Sequence, residues 1–470
     1  MMRLSLALLF SLLVSSCGEP QVEQLVVTPV ATLEPLESSN VVVVGAGVAG
    51  LTAARALSAA GHEVVVLEAR DRIGGRTHTA EVGAATVDLG GAWIHGEVEN
   101  PVAEFLTAHD KRFEPHSLDP DLIYDAVDGG ALGMFSLIKP GLGMEGFFSD
   151  MEELHEKLGD DASLEDALDE YFGEDAFDDA SSRRGRFFVE AIASASSGPM
   201  DLQSLADWVV GAGEPHEGSD QVVEGGYATL VDLLAEGLDV RLEHVVSKIE
   251  ILDEAVRVTS SEGVFQASHV VSSVPLGVLQ SGAIEFVPPL PEDKVDSIQR
   301  LAAGSFEKVV LVFEERFWAD DFDVGIAYLE GLGPKRHNAT VFDMTPFAGA
   351  PTLVGLSGGA PARDSRQDFD AQALVESLIK DLEACLGRTI PKPTATHVTN
   401  WTNDPFTLGS YSFMPVGATT EDVLALQAPL AGRLFFCGEA TSTRWPSTVH
   451  GALWSGVREA KRIDPNSHLK

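Results

Sequence analysis

The sequence predicts an α/β fold: a doubly wound nucleotide-binding domain with an inserted α+β domain, in which a mixed sheet is flanked by helices. Three observations predict it. Residues 41–76 read strand, glycine turn, helix, strand, the order of a parallel βαβ unit. Apolar strand patterns return at 238–273 and at 434–437, so one sheet draws on distant stretches of chain. The stretches between, 97–219 and 286–399, turn to helix and then to strands with helices, and about 430 folded residues exceed what one compact core usually holds.

Val41 to Val44 are four consecutive β-branched residues, which favour a strand over a helix. Gly45, Gly47 and Gly50 follow, and Leu51, Ala54, Leu57 and Ser58 then recur at helical spacing. In such a turn the first glycine allows the bend, the second lets backbone approach a pyrophosphate, and the third brings helix against strand. The helix start faces the phosphates with unpaired N–H groups, so Gly45, Gly47, Ala49 and Gly50 are candidate cofactor contacts. A second apolar strand, Glu63 to Leu67, ends at Glu68, 23 residues after Gly45, where a carboxylate can accept hydrogen bonds from both ribose hydroxyls. Glycine-rich turns are common and many bind nothing. The strand before, the helix after and the acid at this distance make this one a Rossmann-like site for an adenine dinucleotide.

Arg70, Arg72, Gly74, Gly75 and Arg76 extend the pattern beyond what a nicotinamide site requires. With them the stretch resembles the FAD-binding fingerprint of the flavin-containing amine oxidase family and its R-x-G-G-R extension. The resemblance spans nearly all of Asn40 to Ile463. It implies FAD, with Glu68, Ala69, Arg70, Gly75 and Arg76 as contacts and an arginine on the diphosphate.

At the start of the chain, Met1-Met2-Arg3 is followed by eleven mostly apolar residues, Leu4 to Val14, too few to span a bilayer. Residues 1–16 read as a signal peptide. Val14-Ser15-Ser16-Cys17 resembles a bacterial lipobox, which implies a lipidated Cys17. Gly18 and Glu19 after it lean towards the outer membrane, so the expected place is the cell envelope. Residues 17–39, with Pro20, Pro29 and Pro35, read as an extended tether. Cys385 and Cys437 fall in apolar patterns and read as buried thiols.

The 72 carboxylates against 32 lysines and arginines give a net charge of -40, which argues against a nucleic-acid partner. Two meanings stay open for it: a solvated surface suited to salt, or a field that draws in a cationic substrate.

Asp88 to Gly96, DLGGAWIHG, is a glycine-rich stretch similar to the GASWIHG segment of polyamine oxidases. The similarity places Gly91, Ala92 and Trp93 beside the flavin and His95 in the substrate channel. From 97 to 219 the chain reads as helices of a substrate domain; Ser163 and Asp166 form a capping box, and 150–179 holds fourteen acids and one lysine. Residues 220–285 return to the FAD-binding domain, with one strand from Leu238 to Glu250 and further strand at 256–258 and 269–273. The family's adenine contact falls on Val246, with Val245 equally eligible. Val274 to Pro291 reads as a linker to the rest of the substrate domain, 286–399. There Lys308 shares a strand face with Phe306, Val310 and Val312, an unusual place for an ammonium. In the family the matching lysine holds a water against the flavin. Asp343 to Gly359 and Ala371 to Leu386 complete the mixed sheet and its helices.

Residues 400–470 close the FAD-binding domain. Trp401 and Tyr411 match aromatic residues over the flavin, and Ser410 stands where monoamine oxidases carry the cysteine bonded to it, so the FAD is expected to be non-covalent. After the strand Leu434 to Cys437, Gly438 and Glu439 match the acid of the ribityl-phosphate region, and the helix start at Thr448 and Val449 supports the flavin's pyrimidine end. Thr448 in place of an aromatic-cage tyrosine points to the polyamine oxidase and lysine-specific demethylase branch. The implied activity is oxidation of a small cationic amine, a polyamine in the first instance, to an imine and then to aldehyde and shorter amine, with O2 reduced to H2O2. Lys308, Tyr411 and His95 are the catalytic candidates, and no metal is expected. The rivals are an L-amino-acid oxidase of the same fold, a dehydrogenase with another electron acceptor, and a silent flavoprotein.

Overall fold

The computed structural model describes residues 37–173, 179–210, 217–329, 340–365 and 369–469. The expected signal peptide, Cys17 and most of the expected tether lie outside these residues.

One sheet has the order Glu285–Val287, Val246–Ile251, Val256–Ser260, Gly263–Ser272, Glu37–Val44, Val64–Leu67, Asp239–Arg241, and Leu434–Phe436 also pairs with Gly263–Ser272. The strand ending in the four valines runs parallel to both neighbours, Val43 standing opposite Val271 on one side and Val66 on the other. A strand paired on both edges and covered on both faces needs apolar residues at every position, which is why the valines run without alternation. Val41 and Val43 pack with Leu51, Leu57 and Leu453 from the helices Val48–Ala59 and Val449–Ile463. Val42 and Val44 face Val258, Phe265 and Phe436. The two helices cross closely: a Cβ at Gly456 would lie 2.3 Å from the Ala49 carbonyl oxygen.

Two expectations change here. The single strand foreseen at 238–250 is two, Asp239–Arg241 and Val246–Ile251, because these lie in different parts of the sheet. The turn between them is pinned to the Glu68 loop, Glu243 N–H donating to the Arg70 carbonyl at 2.8 Å and His244 N–H to that of Glu68 at 2.8 Å. The segment 274–291 is no bare linker: it holds a short helix, Leu276–Ser281, and the strand Glu285–Val287, which extends the sheet beside Val246–Ile251.

The second sheet runs Ala395–Val398, Phe306–Val312, Thr352–Gly358, Thr340–Asp343, Gly325–Leu329, Leu122–Asp125, Gly130–Ala131. It is mixed: antiparallel except where Gly325–Leu329 runs parallel to Leu122–Asp125. Helix Ala371–Leu386 covers one face, setting Leu374, Leu378 and Leu382 against Val309 and Leu311. The other face, with Val310, Val312 and Leu356, packs on Trp93 and Trp401. Strand alternation puts Lys308 on that second face. Helices Met134–Ser149, Met151–Leu158, Leu164–Phe172 and Ala180–Ser194 bury their own core of Phe147, Leu168, Phe187 and Trp208. The expected capping box is present: Asp166 N–H donates to Ser163 Oγ at 3.1 Å and Ser163 N–H to Asp166 Oδ2 at 2.9 Å. Cys385 and Cys437 are free thiols, half-buried and buried. Among the described residues no helix is long and apolar enough to cross a membrane.

Candidate active site

The turn after the four valines opens one end of a cavity of about 2350 Å³. Pockets for single small ligands seldom exceed roughly 1,000 Å³, so this one has room for a dinucleotide and a second molecule. Gly45 takes φ +99°, a conformation glycine adopts at little cost. Gly47 caps helix Val48–Ala59 without a side-chain hydrogen bond, so the first-turn N–H groups remain for an anion. Gly50 has the packing role expected of the third glycine. It does not line the cavity; a Cβ there would lie 2.1 Å from the Gly45 carbonyl oxygen, so its task is close packing behind the turn.

Glu68 is buried at the cavity wall, where Oε2 accepts the Ala46 N–H at 2.7 Å and Oε1 the Arg70 N–H at 3.0 Å. Those two bonds fix the carboxylate and leave each oxygen a lone pair for a ribose hydroxyl. Ala49, Ala69, Gly75 and Val246 line the same cavity, as does Val245, so both valines stay eligible for the adenine. Arg70 and Arg76 line it too, each seated on an acid far along the chain. Arg70 makes a two-pronged contact with Asp404 at 2.9 and 2.6 Å. Arg76 donates to Glu439 and to the Ser410 carbonyl, both at 2.8 Å. Glu439 also accepts from Ser412 N–H at 3.2 Å and Ser447 N–H at 3.1 Å, so it clamps the 410–412 segment to the last helix. Gly438 lines the wall beside it. Thr448 caps helix Val449–Ile463, its Oγ1 accepting the Gly451 N–H at 2.9 Å, and Gly91 lies against Val449, where an added Cβ would meet Cγ2 at 2.9 Å.

The lysine end is built from three distant segments. Lys308 is 3% exposed, and its Nζ donates to the Asp88 and Gly90 carbonyls, both at 2.8 Å, 5.1 Å from the ring centre of Trp93. An ammonium has three donors, so one is left for a further partner. Burial lowers its pKa from 10.5 to about 8, against the opposing pull of Asp88. Trp401 Nε1–H donates to the Leu89 carbonyl at 3.1 Å, stapling the aromatic residue over the same glycine-rich loop that carries Gly91, Ala92 and Trp93. The Tyr411 hydroxyl donates to the Ala195 carbonyl, and burial pushes its pKa up, so the phenol stays neutral. His95 Nδ1 lies 2.9 Å from Asp220 Oδ1, and the ring lines the cavity. All the expected catalytic residues thus meet one cavity, as do all the expected cofactor residues except Gly50.

Several residues of the site escape the sequence. Glu307, 1% exposed, accepts from Thr399 Oγ1 at 2.6 Å, Trp401 N–H at 3.1 Å and Thr402 N–H at 2.9 Å, and so shapes the loop that presents Trp401. Its signal was an acid inside an apolar strand, overshadowed by the lysine next to it. Asp220 and Asp404 gave none, since each acts on a partner more than a hundred residues away, and the Asp88 carboxylate joins Thr79 to the Tyr227 N–H, 139 positions on.

Residues 48–464 match the family model of flavin-containing amine oxidoreductases. The chain belongs to that family. It is similar to Polyamine oxidase 2 of Arabidopsis thaliana, 31% identical over 447 residues that cover 90% of this chain and 88% of that protein. It is 34% identical over 439 residues to Protein FLOWERING LOCUS D of the same plant, covering 90% of this chain and 55% of that one. To Lysine-specific histone demethylase 1 homolog 3 of Oryza sativa subsp. japonica it is 34% identical over 459 residues, covering 93% and 55%. It therefore spans just over half the length of the first curated relatives it matches. Among solved structures, putrescine oxidase bound to putrescine superposes with a TM-score of 0.76 at 23% identity, covering 91% of this chain and 99% of that one, a likeness of fold.

The cofactor of this flavin-containing family member is FAD, and the cavity fits it. Two helix N-termini, at Gly47 and at Thr448, open onto it, and Glu68 lines its wall. At Gly47 the nearest atom to an added Cβ is 4.0 Å away, so no packing inside the chain demands a glycine there.

Proposed function

We propose that the protein oxidises a small polyamine at a C–N bond, giving an imine that hydrolyses to aldehyde and shorter amine, with O2 reduced to H2O2. The observation that carries this reading is Lys308, a buried amine anchored on two backbone carbonyls inside the same cavity as Trp401, Tyr411 and His95. Bound FAD would supply the two-electron acceptor for hydride from the amine's α-carbon and the route from there to oxygen.

The chain's own residues have three tasks. Tyr411, held neutral and tied to Ala195, offers a ring face against which the substrate nitrogen packs. His95, its Nδ1 2.9 Å from Asp220 Oδ1, is held by that carboxylate on the cavity wall, where its ring orients the amine. Lys308, with a pKa near 8, holds a water and exchanges a proton at Nζ around neutral to mildly alkaline pH. Non-covalent binding follows from Ser410, whose hydroxyl donates to the Gly304 carbonyl at 3.1 Å.

The L-amino-acid oxidase reading needs an arginine for the substrate carboxylate. Among the described residues the cavity-lining arginines are Arg70, Arg76, Arg300 and Arg363, and each is paired with an acid: Asp404, Glu439, Asp422 and Asp364. The amine reading is the better supported, and the relative named as a polyamine oxidase, matched over most of its length, favours it further. Incubating the FAD-loaded enzyme with spermidine, spermine and their acetylated forms in air tests it. One peroxide and one aldehyde per amine consumed is the expected result; flavin turnover with an artificial acceptor but no peroxide would replace oxidase by dehydrogenase. For the N-terminus we propose export and lipid attachment at Cys17. Labelled palmitate should enter the wild-type protein and not Cys17→Ala, and equal labelling of both would remove the anchor.

A further inference from the structure

Among the described residues three carboxylates line the cavity: Glu68, Glu439 and Asp207. The first two are committed, Glu68 to two backbone N–H groups and Glu439 to Arg76 and the 412 and 447 amides. Asp207 is not. It sits on the short helix Leu205–Val210, and no hydrogen bond or ion pair engages its side chain among the described residues. Burial with no compensating cation pushes its carboxyl up to about 7. Asp207 is half-buried and lines the cavity, so its carboxylate can be reached from the cavity side and has, among the described residues, no cation of this chain beside it; a cationic ligand entering the cavity supplies the missing charge.

Its wall is tied to the reacting end. Ala195, Ser196 and Pro199 line the cavity along the same stretch of chain as Asp207. The Ala195 carbonyl takes the Tyr411 hydroxyl, the Ser204 N–H donates to the Met414 carbonyl at 3.3 Å, and the Val416 N–H to that of Leu202 at 3.1 Å. The 195–207 wall is thereby laced to the 411–416 segment that carries Tyr411. A ligand whose reacting nitrogen lies at Tyr411 and whose other end is a cation meets Asp207 without leaving this wall.

We propose that Asp207 is the binding residue for the distal ammonium of a diamine or polyamine, and so sets the preference for such substrates over monoamines. This rests on the amine-oxidase reading of the same cavity. An aliphatic chain lies between the two ends; the charged end pairs with Asp207, and the nitrogen that is oxidised stays uncharged beside Tyr411 and His95.

The test compares flavin reduction by 1,4-diaminobutane and by butylamine in the FAD-loaded wild-type enzyme, Asp207→Asn and Asp207→Glu. Wild type is expected to favour the diamine in kcat/KM. Asp207→Asn should cut the diamine-to-butylamine ratio by roughly 30-fold or more, the scale of losing one desolvated charge pair, and Asp207→Glu should restore part of it. An unchanged ratio in an Asn variant that still binds FAD and oxidises both amines overturns the role of Asp207 and leaves the amine reading standing. Should the Asn variant not fold, wild type alone decides: equal kcat/KM for the two amines overturns the proposal. If neither amine reduces the flavin but an L-amino acid does, the amine reading falls and takes the proposal with it.

Discussion

Lys308 is where single-residue chemistry can be read most directly. Its pKa is lowered to about 8 by burial, so between pH 8 and the ordinary lysine value the folded protein binds fewer protons than the unfolded chain. Stability therefore rises with pH across that window, and the cost of holding the ammonium dry is greatest below pH 8. Lys308→Met should slow flavin reduction or reoxidation by orders of magnitude while FAD stays bound, and should erase a limb of the pH–rate profile with an apparent pKa near 8. Stopped-flow traces across pH 6.5 to 9.5, a range bracketing that value by about 1.5 units, read both effects. A variant that keeps the limb removes Lys308 from the chemistry. Glu68 answers to a different readout. Glu68→Ala removes the acceptor of two amides and of the ribose hydroxyls, so FAD should bind at least ~10-fold more weakly, on the scale of one or two hydrogen bonds to a charged group. Unchanged occupancy on dilution would count against the ribose assignment.

At the scale of elements, what the sequence disclosed was what lies close in the chain. The Val41 strand, its glycine turn, the helix and Glu68 fall within thirty residues, and their spacing carried their geometry. The partners that finish the site do not. Arg76 meets Glu439 across 363 positions, Lys308 meets Gly90 across 218 and His95 meets Asp220 across 125. One sequence shows no such pairing. The split of 238–250 into two strands was hidden for the same reason, since the turn is held by amides that reach the Glu68 loop. Gly50 was legible as a glycine that brings elements together, and the 2.1 Å approach to the Gly45 carbonyl is that packing; it does not line the cavity. Glu307 offers the element-scale test. Glu307→Ala leaves the Trp401 and Thr402 amides without their acceptor, which should cost about 2–4 kcal/mol of stability in a chemical-denaturation midpoint and loosen the loop under Trp401. An unshifted midpoint would mean that the loop is held by its other contacts.

Across the whole molecule the dominant feature is charge. A net charge of -40 surrounds a cavity whose one uncommitted acid, among the described residues, is Asp207. The two meanings of that charge separate in salt. If the field steers a cationic substrate, kcat/KM for a polyamine should fall several-fold between roughly 50 mM and 500 mM salt, where screening shortens to a few ångströms, while kcat stays level. If the surface serves only salt tolerance, the unfolding midpoint should rise with salt and kcat/KM should not fall. The chain belongs to the family over residues 48–464, and amine oxidation in the cavity is the central claim. The most direct measurement is anaerobic mixing of the yellow, FAD-loaded protein with spermidine, followed by its absorbance near ~450 nm and then by admission of air. The account predicts that the polyamine bleaches the band and that air restores it with release of one peroxide. A band that polyamines leave untouched and L-amino acids bleach would contradict it.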